Sequence, residues 1–191
     1  ATVARTLHVS WLRTDTRCWN LEPDSGAGWL QEIKSKQKNS ETMEEPILNA
    51  HNKLEYEPAH SCEHLLNATM VKMFGCPRSR NAHVEKKKSK CDYILEAEPT
   101  PEQVAQIEAK VNEEISRHHN VTIEFMNREQ AADIVDLSKL PADASETLRI
   151  VKIGDYDACA CIGAHVKNTC EIGTFKIISH SYAEGVWRLR W

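Results

Sequence analysis

The 191 residues suffice for one full domain with an appendage, and less comfortably for two small ones. Apolar residues at 41% and charged residues at 27% exclude a wholly disordered or fibrous chain. A net charge of −4 argues against broad attraction to phosphate backbones and leaves room only for a local basic patch.

The longest apolar runs, such as residues 157–164, fall far below the roughly 20 residues of a membrane-spanning helix. The N-terminus shows no basic segment followed by an apolar core of about 7–15 residues, so the expected compartment is the cytoplasm. The seven cysteines (Cys18, Cys62, Cys76, Cys91, Cys159, Cys161 and Cys170) form an odd set without a disulfide framework. In a reducing compartment they are read as thiols, core residues or metal ligands.

Residues 1–42 hold three of the five tryptophans, show no sustained period of two or 3.6, and end in the polar run 34–41. They read as an N-terminal extension of unknown role, with the functional domain expected over 43–191. A helix is expected over residues 58–74, with Leu66, Met70, Met73 and Phe74 at helical spacing and Gly75 followed by Pro77 as the stop. His60 and His64 lie near its start. Residues 82–95 read as extended, in a hairpin crowded by Arg78, Arg80, Lys86, Lys87, Lys88 and Lys90.

The clearest helix follows. Thr100 is its N-cap, Pro101 occupies the first turn, Gln103 completes a capping box, and Val104, Ile107, Val111 and Ile115 form one apolar stripe. His118 and His119 suit its end, where a cationic imidazole meets the negative end of the helix dipole. Further along are a strand at 121–125, a helix at 128–137 and a strand at 148–153. A closing strand pair, 175–180 and 186–189, turns around Glu184-Gly185. The class is therefore α+β, a mixed or antiparallel sheet packed with helices.

Two short motifs carry chemistry. A His-x-x-x-His pair on a helix turns by about 40° and rises by roughly 6 Å, so His60 and His64 present both imidazoles to one side. The stretch Cys161-Ile-Gly-Ala-His165 offers a thiolate and another imidazole, with Gly163 permitting a tight turn. Together the four make an S and N donor set suited to zinc. Either pair alone arises readily by chance in a chain with nine histidines, so the combination matters.

The surroundings of the two pairs resemble a known family. Ala59-His-Ser-Cys-Glu-His-Leu-Leu-Asn-Ala68 resembles the helix that opens the editing domain shared by alanyl- and threonyl-tRNA synthetases, and by the freestanding AlaX-type trans-editing proteins. Residues 161–177 are similar to the Cys-Gly-Gly-Thr-His-Val motif and the Thr-Gly-Glu-Ile-Gly segment of that family, and Gly185-Val-Trp-Arg-Leu-Arg190 resembles its final strand. The resemblance implies a zinc-binding editing-like domain, with His60, His64, Cys161 and His165 as metal ligands and mischarged tRNA as partner. It implies neither a membrane nor DNA. The implied reaction is hydrolysis of the aminoacyl ester, with seryl-tRNA for alanine as the expected substrate. Ile162 and Cys170 stand where the family has glycines, and Ala164 where it has threonine, so its pocket residues are not carried over.

Two other readings compete. His60-Ser-Cys-Glu63-His64 also fits the inverted His-x-x-Glu-His pattern of zinc peptidases, with Glu63 as general base. Alternatively, a structural zinc clamps a module that binds RNA or protein without catalysis. The basic stretch 78–90 is read first as a solvated strand edge guarded by lysines. Cys159 is a spare ligand candidate if the strand carrying it alternates regularly into Cys161. Cys62 and Cys91 are read as core thiols.

Overall fold

The computed structural model describes residues 56–138, 140 and 144–191. The expected border near Met43 and the extension before it lie outside these residues. Helix α1 spans Glu57–Phe74. His60, Ser61, Cys62 and His64 through Met70 are all buried, so the helix is enclosed on nearly every side rather than along one stripe. Gly75 ends it at φ 62°, its N–H donating to Val71 O, a left-handed cap that costs a glycine little.

The expected hairpin forms from β1 (Asn81–His83) and β2 (Lys90–Ile94), paired antiparallel. Helix α2 (Pro101–Ser116) starts with the anticipated Thr100–Gln103 capping box, and Ile107, Val111 and Ile115 are buried as the stripe required. Strand β3 (Val121–Asn127) then leads into α3 (Arg128–Ala132). This helix is much shorter than the expected 128–137. Beyond it Asp136 Oδ1 accepts from Ser138 N–H at 2.8 Å, a local turn that competes with helical pairing, while Val135 is pulled into a small core with Ala131, Leu148 and Ile150.

Strands β4 (Thr147–Ile153), β5 (Asp157–Ala160), β6 (Ser179–Ala183) and β7 (Val186–Arg190) complete the fold. The described strands form two antiparallel sheets, one in the order β1-β2-β7-β6 and one in the order β3-β4-β5. The first half of the closing pair is displaced from the expected 175–180 to 179–183. Two side chains of α2 claim the earlier backbone: Asn112 accepts from Phe175 N–H and donates to Phe175 O, and Glu108 accepts from Ile177 N–H. Glu184-Gly185 forms the expected turn, at φ 51° and 77°, which fixes Ala183 opposite Val186.

Leu65, Leu66 and Met70 of α1 and Ile107 and Val111 of α2 share one core with Cys91, Tyr93, Trp187 and Leu189 from the inner face of the four-stranded sheet. Asn67 ties α1 to that sheet, accepting from Tyr93 Oη–H and Ser79 N–H. Among the described residues no helix is long and apolar enough to cross a membrane.

The turn between β4 and β5 depends on Gly154, at φ 49°, where a Cβ would lie 2.4 Å from His119 Nδ1. Gly154→Ala is expected to destabilise the fold by about 1–3 kcal/mol through backbone strain and displacement of His119. An unchanged urea midpoint would contradict this.

Candidate metal centre

The first turns of α1 present His60 and His64 on the side facing the chain just after β5. Cys161 continues the β5 ladder by one residue, its N–H donating to Arg149 O. By strand alternation Asp157, Cys159 and Cys161 therefore share one face. Residues 161–165 then bend back so that His165 meets Cys161.

One donor atom from each of His60, His64, Cys161 and His165 lies within 4.8 Å of every other. Cys161 Sγ is 3.5 Å from His60 Nε2 and 3.4 Å from His165 Nε2. The His60 and His165 rings stack with centroids 4.1 Å apart, and His64 stands edge-on to both.

The opposite ring nitrogens are all engaged. His60 Nδ1–H donates to Ala164 O at 3.1 Å, which fixes its tautomer because a carbonyl cannot donate. His64 Nδ1–H donates to Asp157 Oδ2 at 3.1 Å. His165 Nδ1 lies 3.1 Å from Ser61 Oγ, which also accepts from Val166 N–H. With each Nδ1 held by a neighbour, the three Nε2 atoms converge with the sulfur and can donate to a cation once deprotonated. Histidine metal ligands are oriented in this manner, so the residues fit a bound cation.

Charge supports the same fit. Burial resists a thiolate at Cys161, yet His165, His60 and His64 outweigh it and bring its pKa down to about 3. Burial likewise opposes a cationic His64, but Asp157 and Cys161 lift its pKa to about 10. His165 is lowered to about 4, by burial first and by the other two imidazoles. A deprotonated sulfur is the form that coordinates metals, and uptake at such a centre releases a proton.

Asp157 is itself fixed from two sides. Arg78 Nη1 donates to Oδ1 at 2.6 Å and Nη2 to Oδ2 at 3.2 Å, a two-pronged pair. Burial works against its charge, but His64 and Arg78 hold its pKa down at about 2. Arg149 secures the other side, donating to the carbonyls of Cys161 and Gly163 at 2.7 and 2.8 Å. Sequence reasoning missed Ser61, Arg78, Arg149 and Asp157. Only Asp157 had a signal, the same alternation that aligned Cys159 with Cys161.

The remaining candidates fall elsewhere. Cys159 is partly buried and is not one of the four converging donors. His119 Nε2 sits 2.8 Å from the buried Glu114 carboxylate, and His118 adopts φ 53° just after the helix. Both follow the end of α2, His119 joined to it by that hydrogen bond. Glu63 accepts from Asn67 Nδ2. Cys62 and Cys91 are buried in the core, where burial raises their thiol pKa.

The profile described as threonyl and alanyl tRNA synthetase second additional domain matches residues 148–190, which include Cys161, His165 and the closing hairpin. The chain is 32% identical over 132 residues to an alanine–tRNA ligase of Bdellovibrio bacteriovorus and 33% identical over 138 residues to that of Halorhodospira halophila, each match covering 68% of this chain. A third, from Petrotoga mobilis, is 33% identical over 135 residues and covers 70% of it. The matched region spans 15% of the length of each of these relatives.

The pairing of Asp157 with His64 gives a direct test of the centre. Asp157→Asn is expected to weaken uptake of a divalent cation by about 10–100-fold, read by competition with a chromophoric chelator. Equal affinity in the two proteins would remove Asp157 from the centre.

Proposed function

The chain belongs to the editing-domain family of threonyl- and alanyl-tRNA synthetases, and from that premise we propose that it is a zinc-dependent aminoacyl-tRNA deacylase acting in trans in the cytoplasm. One observation carries the reading: four donors from two distant stretches converge, three of them imidazoles with their outer nitrogens already engaged. The relatives named as alanine–tRNA ligases support tRNA as the partner; seryl-tRNA for alanine is the substrate that the logic of editing favours.

His60, His64, Cys161 and His165 would hold the ion, the set of one sulfur and three nitrogens favouring zinc over hard cations. Bound there, zinc supplies a Lewis acid for a carbonyl oxygen or a water of lowered pKa. The other residues position. Asp157, the Ala164 carbonyl and Ser61 fix the ring planes, and Arg149 restrains residues 161–163 so that sulfur and imidazole stay in register. Ile162 and Ala164 are exposed beside these ligands, where an aminoacyl group would approach. An aminoacyl ester is already activated, so positioning and oxyanion stabilisation suffice without a covalent nucleophile.

Synthetic sites sized for alanine reject an added hydroxyl poorly, and a second site that hydrogen-bonds that hydroxyl corrects the error. A structural zinc without catalysis is the second reading, favoured because four protein donors can close a tetrahedral shell. The peptidase pattern accounts for His60, Glu63 and His64 but leaves Cys161 and His165 without a role.

The zinc-loaded chain is expected to deacylate seryl-tRNA for alanine faster than alanyl-tRNA by more than about tenfold, in a panel of mischarged tRNAs. His64→Ala is expected to abolish zinc retention and activity together. Zinc-dependent stability with no deacylation of any substrate would establish the structural reading instead.

A further inference from the structure

The outer face of the four-stranded sheet carries an arrangement that the metal centre does not use. His83 stands opposite Lys90, and Lys90 opposite Arg190, so two cations, Lys90 and Arg190, lie abreast on neighbouring strands with the His83 imidazole beside them. Strands in a sheet are about 4.8 Å apart, and like charges directly opposite one another are unfavourable. The loop between β1 and β2 adds Lys86, Lys87 and Lys88, all exposed, at the same end.

Nearby acids offset this charge only in part: Asp92, two residues from Lys90 on the same face of β2, is held below its usual range by Arg188 first and by Lys90 after it. Glu85 is engaged by His83, and Asp92 by a two-pronged pair with Arg188. Among the described residues no carboxylate forms an ion pair with Lys86, Lys87, Lys88, Lys90 or Arg190. In a chain of net charge −4, this is a concentrated exception.

The patch also borders a cleft at the start of α1. This cleft of about 170 Å³ is lined by Lys86, Lys87 and Lys88 together with Tyr56, Ala59 and Trp191. Within it Lys86 Nζ lies 5.5 Å from the Tyr56 ring centre. Cations beside aromatic rings in a cleft are the ordinary means of holding a single-stranded nucleotide end.

We propose that Lys86, Lys87, Lys88, Lys90 and Arg190 form a docking surface for the sugar-phosphate backbone of tRNA, with the Tyr56 ring in the adjoining cleft offering a base a face to stack on. This rests on the deacylase reading for its substrate. Phosphate contacts position a nucleic acid without reading its sequence, so the surface governs affinity and not the choice of amino acid. RNA is favoured over an anionic lipid surface because the cations line a cleft with aromatic walls.

The test uses the full chain carrying Lys87→Gln, Lys88→Gln and Lys90→Gln together, with uncharged tRNA binding followed by fluorescence anisotropy across a salt series. The slope of log affinity against log salt is expected to fall by about two to three, and binding to weaken about tenfold or more at low salt. Arg190→Gln alone removes a cation from the sheet instead of the loop, and is expected to lower the slope by about one. Lys152→Gln, on the other sheet, should leave it unchanged. Hydrolysis of a seryl ester of adenosine, which lacks the phosphates, should proceed at the unaltered rate in the triple variant. Unchanged tRNA affinity and slope would overturn the proposal, as would binding lost only to phosphatidylserine vesicles. If the unaltered chain binds tRNA with the expected slopes but hydrolyses no ester, the surface stands and the deacylase reading falls.

Discussion

The carboxylate of Asp157 is the point on which the region around the metal centre depends. It is buried and charged, and a buried charge persists only when paired and hydrogen-bonded. Arg78 and His64 provide the pairing from either side. In doing so they join three separate parts of the chain: the segment after α1, α1 itself and the first residue of β5. The ring plane of His64 is set by this link, and β5 is held at the depth that carries Cys161 to the two imidazoles of α1.

A helix as enclosed as α1 would be apolar all round in an ordinary core. Here His60, Ser61, His64, Asn67 and Thr69 are buried along it, and each has a hydrogen-bond partner. Unpaired polar groups at such depth are costly, whereas a satisfied network fixes one arrangement. Asn67 and Thr69 bind the helix to the strand β2 and to Tyr156, while His60, Ser61 and His64 turn toward the 161–165 segment. The helix therefore serves as scaffold along one part of its surface and as donor set along another. Family membership accords with this division. The profile match lies in 148–190, and the longer matches to the ligases cover about two thirds of this chain.

Much of the secondary structure was legible because its causes are local. Thr100 and Gln103 can cap a helix without help from elsewhere, Gly75 ends one by adopting a left-handed conformation, and Glu184-Gly185 makes a two-residue turn. The two misplaced elements failed for the opposite reason. Residues 175–178 have the apolar pattern of a strand, but Asn112 and Glu108 of α2 occupy their backbone groups. Residues 133–137 have helical spacing, yet Val135 packs into the second core and Asp136 bonds locally.

The same boundary runs through the metal centre. The sequence by itself carried the four candidate donors and the resemblance to the family, because residue type and spacing within each short motif are properties of contiguous chain. Only the tertiary structure decided that the motifs meet, with Cys161 and His60 separated by 101 positions yet 3.5 Å apart. It alone recruited Ser61, Arg78, Arg149 and Asp157, whose roles come from contacts between elements that no local pattern encodes. The row of His83, Lys90 and Arg190 belongs to the same class, since strand register sets which charges stand side by side.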